Sequence, residues 1–390
     1  MSVLLLLIPV AVAIAAVLWW KLRRPADSTP PSSLPHHAAS GMPAARSPAV
    51  NPPAASARQA VVPVLSARAS AALAEPMPPV LEDFVLVRES ALPAAQHEAL
   101  MTVIGGIPRP PMSLHQLLAP DFFDRADSLM LSELLMGEPL IAAKVLATVN
   151  SPFYGLHQSV TSIEPAITFL GMDTVRNICV QYMLAQAFKP ELRAAQRSFD
   201  AIWRSSAIAS ELCLRLAQAL GLPDHGALAT KVVMVFVGHL AAASLLPHNT
   251  VEEWLALDRL HRAKLEQEVI GLSAGEIGTL VLRTWELPQE LVGDVAATSR
   301  VLVTPASAAD AQRVPQLALA YLCVGLGERL ALGQLSSLGD VDLWGHVGPD
   351  AFHLRSYLTH PALAALPELL RSPALEEAVQ QMLGKSQVLV

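Results

Sequence analysis

Histidine is the residue type from which hydrolytic metal chemistry would most readily be built in this chain. Twelve histidines occur among the 390 residues, but they are scattered without metal-ligand spacing. A stable divalent site needs several imidazole, thiolate or carboxylate ligands that converge on the ion. His36 and His37 form an isolated pair that is most simply solvated, and no His-Asp dipeptide occurs anywhere in the sequence. The histidine pattern therefore predicts neither a bound metal nor another cofactor.

His239 has the most distinctive surroundings of these histidines, because it lies in the most apolar stretch of the chain, residues 228–246. A lone buried histidine is usually a hydrogen-bonded core residue; a vestigial ligand or a pH-sensitive switch is the functional alternative. Two carboxylates, Glu276 and Glu286, lie ten residues apart. That spacing allows one helix face but separates them by roughly 15 Å. We interpret both as helix-surface residues rather than as a catalytic pair.

The composition limits the remaining classes of function. Three cysteines lie far apart in apolar stretches without a CxxC motif, which predicts buried free thiols in a reducing compartment: Cys179, Cys213 and Cys323. The net charge is -7, and no dense Lys/Arg run follows residue 24, so we expect no nucleic-acid partner. Hydrophobic residues make up 52% and charged residues 16%, against a typical charged share of about 25%. This apolar excess indicates a membrane segment, an Ala/Leu-rich helical core, or both.

Residues 3–20 form an uninterrupted apolar run at the start of the chain. As a helix the run would reach roughly 27 Å, enough for the hydrocarbon core of a bilayer. Trp19 and Trp20 end it, and Lys21, Arg23 and Arg24 follow at once. Basic residues collect on the cytoplasmic side, so we expect a transmembrane anchor with its N-terminus outside and the rest inside. An atypical signal sequence that exports the chain is the alternative.

Residues 21–83 comprise this basic flank and a Pro/Ala-rich stretch with twelve prolines between positions 25 and 79. Such a segment has little large apolar surface to bury and few backbone donors to pair. We predict a disordered spacer between the membrane and a folded domain. A docking site for a polyproline-binding partner is the alternative reading.

From residue 84 onward the apolar residues recur at helical spacing, and no alternating β-type run is present. The pattern predicts an all-α fold, a compact multi-helix bundle with a domain over 84–300 and a helical extension over 301–390. Residues 228–246 are apolar nearly all round and long enough to mimic a second membrane span. Because Lys231 and His239 interrupt them, we favour the central buried helix of the bundle.

A polar and aromatic block follows the helix predicted over 139–150. It reads Asn-Ser-Pro-Phe-Tyr-Gly over 150–155, Val-Thr-Ser-Ile-Glu-Pro-Ala-Ile over 160–167 and Phe-Leu-Gly-Met-Asp-Thr-Val-Arg-Asn over 169–177. This block resembles the signature of the HDOD family, which typically shows NSxFYG, then VxSIxxAIxxLG, then a D-T-hydrophobic-R-N helix start. The matching positions are Asn150, Ser151, Phe153, Tyr154, Gly155, Gly171, Asp173, Arg176 and Asn177.

Most of these positions suit helix caps, core packing or a glycine turn. Arg176 and Asn177 lie in the first turn of a predicted helix, and Arg176 is the candidate for contact with a partner or ligand. HDOD domains look like relatives of metal-dependent HD phosphohydrolases, whose site uses histidines and an adjacent His-Asp dyad. The resemblance extends more loosely from about residue 101 to 300.

At the positions where such ligands would stand, the resemblance places residues that cannot hold a metal. The first ligand position holds Ser205, the dyad holds Val235 and Phe236, and Ala274 precedes the Gly-Glu-Ile-Gly step. The resemblance therefore implies a domain without catalytic metal. A degenerate phosphohydrolase and a small-molecule sensor, using the former active-site hollow as an apolar pocket, remain the alternatives.

The sequence-based hypothesis for function combines these readings. We expect a membrane-anchored regulatory module that acts by binding another protein of a bacterial signalling pathway and performs no catalysis. The expected location is the bacterial inner membrane, with the helical domain in the cytoplasm.

Overall fold

The computed structural model describes residues 69–151, 156, 158–188, 193–345 and 348–385. The described residues form helices joined by short turns and loops, and they contain no strand. The helices of the N-terminal half are α1 Pro79–Glu82, α2 Ala94–Gly105, α3 Met112–Leu118, α4 Pro120–Arg125, α5 Ser128–Met136, α6 Pro139–Val149, α7 Ile163–Leu170 and α8 Met172–Ala187. The all-α prediction is confirmed.

Longer helices dominate the second half of the chain. They are α9 Arg193–Leu220, α10 His225–Leu245, α11 Val251–Ala256, α12 Arg259–Val269, α13 Ala274–Thr284, α14 Gln289–Arg300, α15 Val314–Ala331, α16 Leu354–Leu358, α17 Leu366–Leu370 and α18 Pro373–Lys385. Asp258 caps α12 and Ser273 caps α13, each accepting backbone N–H groups of the first turn.

The helix α10 is the centre of the bundle, packed against α8, α9, α13 and α15. Among the described residues it is the helix that is long and apolar enough to cross a membrane, and 78% of its most apolar window is buried inside the protein. Burial on all sides explains why its sequence is apolar all round. The prediction of a central core helix over 228–246 is thus confirmed. The helix begins three residues earlier, at His225, and ends one residue earlier, at Leu245.

Glycine lets two pairs of helices approach closely at the core. A Cβ at Gly238 of α10 would overlap the carbonyl of Ala274, and one at Gly278 of α13 would lie 2.9 Å from Gly238 Cα. On the other side, a Cβ at Gly327 of α15 would lie 2.7 Å from the carbonyl oxygen of Ser205 in α9. These contacts leave no room for a larger residue between the helices.

The folded unit begins earlier than the sequence predicted, and its C-terminal helices belong to the same core. The segment 69–83, expected within the spacer, includes helical turns, and Arg355 Nη1 donates to Ala72 O at 3.3 Å. Gln267 of α12 accepts from Val87 N at 2.8 Å. Within the predicted extension, α15 packs along α9 and α10 in the common core. The predicted anchor, residues 3–20, lies outside the described residues and stays a prediction.

Candidate functional site

Asn150 links the end of α6 to Val160. It follows the end of α6, and its Nδ2 donates to Leu146 O at 2.8 Å and to Val160 O at 2.7 Å. Its Oδ1 accepts from Val160 N at 2.7 Å. Asn150 therefore fixes the backbone of Val160 against the last turn of α6.

Ser151 is the next signature residue after Asn150. The backbone N–H of Ser151 donates to Thr148 O at 3.1 Å and continues the turn after α6. Phe153, Tyr154 and Gly155 lie outside the described residues.

Gly171 and Asp173 join α7 to α8 and fix α8 against α10. Gly171 has φ 83° and ψ 152°, a conformation that glycine adopts without strain. The Asp173 carboxylate accepts from Arg176 Nη1 at 3.2 Å and lies 3.2 Å from His225 Nδ1. A Cβ at Gly226 would overlap this carboxylate. The first turn of α8 thus packs directly against the first turn of α10.

Arg176 and Asn177 are buried anchors. Arg176 is 3% exposed, and its guanidinium lies 5.5 Å from the centre of the Phe122 ring. Asn177 is 5% exposed and accepts from Thr230 Oγ1 of α10 at 2.7 Å. This burial contradicts the suggestion that Arg176 contacts a partner or ligand, because almost no surface of its side chain reaches solvent.

The four positions where metal ligands would be expected form part of the core. Ser205 donates its hydroxyl to Ala201 O at 2.8 Å within its own helix. Phe236 is fully buried, and Val235 and Ala274 are 6% and 4% exposed. Among the described residues, no group of three His, Cys, Asp or Glu side chains could hold a metal ion.

What remains of the hollow is a cavity of about 60 Å³. Val235 and Ala274 line it together with the hydroxyl residues Ser273, Thr298 and Ser299. This volume is far below the roughly 300–1,000 Å³ of sites that bind small organic molecules. The expectation of a ligand pocket lined by Val235, Phe236 and Ala274 is not met, because the hollow is too small and Phe236 does not line it.

A buried charged cluster, which we define as His239, Arg262, Glu266 and Glu328, adjoins this cavity. Arg262 Nη2 of α12 donates to Glu328 Oε2 of α15 at 2.6 Å. His239 Nδ1 of α10 lies 3.3 Å from Glu328 Oε1. Glu266 accepts from Trp254 Nε1 at 2.7 Å and, through its second oxygen, from the Ala274 backbone N–H at 2.5 Å. The cluster therefore joins α10, α12, α13 and α15.

Electrostatics fix the charge states inside the cluster. Burial alone would raise the pKa of Glu328, but Arg262 and His239 outweigh it and lower the pKa to about 2. Burial lowers the pKa of His239 to about 4 against the opposing effect of Glu328. Burial also raises the pKa of Glu266. At neutral pH the cluster thus holds an ionised Glu328 beside a cationic Arg262, with His239 neutral. The core-residue reading of His239 fits this geometry.

Arg259 extends the polar network towards the C-terminal segment. Its guanidinium stacks 3.6 Å from the centre of the Tyr321 ring, and Nη1 donates to Tyr321 O at 2.7 Å. Its Nε lies 3.4 Å from Asp350 Oδ2, and the Tyr321 hydroxyl donates to Asp350 O at 2.6 Å. One cation thereby links α12, α15 and the turn before α16.

Sequence reasoning missed this cluster because its members are remote in the chain. Arg262 and Glu328 are 66 positions apart. One local signal was present: Arg262 and Glu266 share the i, i+4 face of α12 with the buried residues Leu260 and Ala263. Charged residues on the helix face that also carries the buried apolar residues indicate that their side chains are buried and paired.

Glu276 and Glu286 do not form an acid–base pair, because each binds a different arginine. Glu276 is buried at 8% exposure and accepts from Arg300 Nη2 at 3.2 Å, so its assignment to the helix surface was wrong. Glu286 lies beyond the end of α13 with a left-handed φ of 60°, and it pairs with exposed Arg109 at 3.1 Å. Each carboxylate has its own arginine.

Comparisons with known proteins agree with this architecture. A family model described as the HDOD domain matches residues 107–301. An HDOD domain protein of unknown function from Geobacter sulfurreducens has a similar crystal structure, with a TM-score of 0.52 and 16% identity over 75% of this chain and 99% of that one. This likeness shows the fold alone.

Two further crystal structures are more distant. A candidate phosphohydrolase from Shewanella amazonensis SB2B gives a TM-score of 0.48 and 22% identity over 74% of this chain and 97% of that one. A candidate signal transduction protein from Marinobacter aquaeolei VT8 gives a TM-score of 0.45 and 16% identity over 85% of this chain and 64% of that one. A search of curated proteins finds no match.

Proposed function

The chain belongs to the HDOD family, and on that premise we propose that it is a regulatory signalling protein that acts by binding another protein and performs no catalysis of its own. We further propose that residues 3–20 anchor it in a bacterial inner membrane, with the helical unit in the cytoplasm.

The observation that carries the proposal is the chemistry of the positions where HD-type metal ligands would stand. Valine, phenylalanine and alanine side chains have no donor atom, and the hydroxyl of Ser205 is bonded within its own helix. Val235, Phe236 and Ala274 are buried, and the hollow beside them has only about 60 Å³. A phosphate ester with its metal ions needs far more space, because small-molecule sites usually measure about 300–1,000 Å³.

An exposed apolar surface supports the binding role. We define the methionine face as Met112, Met136 and Leu140, which are 74%, 68% and 74% exposed. The three residues flank the hydrogen bond from Ser113 Oγ to Glu138 Oε1, which joins α3 to the turn between α5 and α6 at 2.5 Å. Exposed methionine and leucine side chains adapt well to the apolar face of a partner protein.

Crosslinking of the full-length chain in native membranes tests this proposal. The expected result is a defined protein partner that is captured by the wild type and lost with M136E/L140E. Val85→Glu is the matched control, because Val85 is equally exposed at 75% and lies outside the methionine face. A partner captured equally by all three proteins would contradict the role of this face, and phosphodiesterase activity above background would contradict the regulatory proposal.

A further inference from the structure

A second and larger cavity lies beside the charged cluster, and Arg259 and Arg262 line both cavities. Its volume is about 360 Å³, against about 60 Å³ for the former active-site hollow. The larger value falls within the range of sites that bind small organic molecules, roughly 300–1,000 Å³. The larger cavity, unlike the hollow, therefore has room for such a molecule.

The lining of this cavity is half aliphatic, and eight of its residues are charged. Leu257 follows α11, Leu326 comes from α15, and Leu343 and Leu358 come from the C-terminal segment. Much of the lining follows residue 301, where the match to the family model ends. The cavity is therefore built between the HDOD domain and the C-terminal helices, and it is distinct from the site inherited from HD-type relatives.

Most charged groups on the lining already have partners. Arg262 is paired with Glu328 and Arg259 with Asp350. Asp258 accepts the backbone N–H groups of the first turn of α12, at 3.0 and 3.1 Å. These groups hold the walls in place and offer little free charge to a ligand.

Two arginines on the lining retain unused donors. Arg329 is exposed and pairs with no described carboxylate. Arg355 binds Glu75 and two backbone carbonyls through its terminal nitrogens, yet its buried Nε has no acceptor among the described groups. A buried donor without an acceptor is unfavourable. Both guanidinium groups could bind an anion.

We propose that this cavity binds a small organic anion with an apolar body, which lies among the leucines while its anionic group is bound by Arg329. Nothing in the proposed protein-binding function requires this site. Because Arg259, Arg262 and Glu328 also line the cavity, an occupant would contact the same residues that hold α10, α12 and α15 together. A bound ligand would thereby contact residues that connect the core helices of the HDOD domain.

Thermal unfolding of the full-length chain in lipid nanodiscs tests the proposal with three probes. The first, 2-naphthoate, has an apolar body and a carboxylate; 2-naphthalenemethanol keeps the body without the charge, and acetate keeps the charge without the body. We expect 2-naphthoate to raise the Tm in a concentration-dependent manner, 2-naphthalenemethanol to act weakly and acetate not at all.

Three variants separate the parts of the site. Arg329→Gln should weaken the 2-naphthoate affinity about tenfold, as expected for loss of a charge-assisted hydrogen bond, and should leave the neutral probe unchanged. Ala351→Trp, which fills the cavity from its half-buried wall, should abolish both responses. Arg371→Gln is the matched control, since Arg371 is exposed and does not line the cavity. No response of the wild type to either naphthalene probe, or equal 2-naphthoate affinity in wild type and Arg329→Gln, overturns the proposal.

Discussion

Replacing Arg262 by methionine removes the cation from the most buried ion pair of the charged cluster. The side chains of Arg262 and Glu328 are 6% and 9% exposed and lie 2.6 Å apart. Little water reaches the space left by the lost partner, and Glu328 remains as a largely buried charge. Removal of one member of such a pair typically destabilises a protein by about 3–5 kcal/mol.

The pKa of Glu328 points in the same direction. Burial alone would raise it, yet Arg262, with His239 and Arg259, lowers it to about 2. The ionised form of Glu328 is therefore stabilised in the folded protein, and Arg262 is the largest source of that stabilisation. Because the folded pKa is the lower one, this stabilisation is fully present above about pH 4.5 and is lost as the pH falls towards 2. At pH 7 the Arg262→Met variant should therefore show the full loss.

Urea unfolding of the full-length chain, followed by far-UV circular dichroism at pH 7, measures this effect. Arg262→Met should lower the free energy of unfolding by about 3–5 kcal/mol, and a second change, Glu328→Met, should recover most of it. Arg109→Met is the control, because the Arg109–Glu286 pair is 56% and 72% exposed and should contribute less than about 1 kcal/mol. Equal effects of Arg262→Met and Arg109→Met would refute the reasoning.

Four further outcomes are expected. His239→Gln should reduce the loss of stability between pH 6.5 and about 4, because the lowered pKa of His239 lets the unfolded chain bind a proton there first; an unchanged pH profile in urea unfolding would contradict this. Gly238→Ala should destabilise the protein by about 1–3 kcal/mol through overlap with α13, whereas Gly293→Ala, inside α14 with open space around it, should stabilise it by up to about 1 kcal/mol in the same assay. Elemental analysis of the purified chain should find iron, manganese and zinc well below one ion per chain; one or two tightly held ions, lost with activity on mutation of a histidine, would overturn the regulatory proposal. A reporter enzyme that works only in the periplasm, fused after residue 390, should be silent, and an active one would reverse the proposed topology.

The sequence predicted correctly the features that depend on residues close together in the chain. Apolar residues on every side of residues 228–246 predicted the buried helix α10, because only a helix surrounded by others lacks a polar face. Gly171 was predicted to end α7, and its positive φ shows why glycine stands there. The HDOD signature was likewise recognised from one continuous block.

Features assembled from distant segments could not be predicted in this way. The charged cluster joins residues of α10, α12 and α15, and no spacing in the sequence indicates that Glu328 meets Arg262. Glu276 was assigned to the surface because helical periodicity shows which residues share a face but not which face a neighbouring helix covers. The start of the folded unit was placed too late, since the prolines around residue 79 obscured the helix-forming residues from Ala69 onward.

The packing around Phe236 limits the side chains that this core can accept. A His-Asp pair at positions 235 and 236 would place a carboxylate at a fully buried position whose ring now packs 5.2 Å from the His239 ring. Burial of an unpaired carboxylate is strongly unfavourable, so even the single change at Phe236 would lower stability. The sequence of this domain can therefore vary far more readily at its exposed residues than at positions 235 and 236.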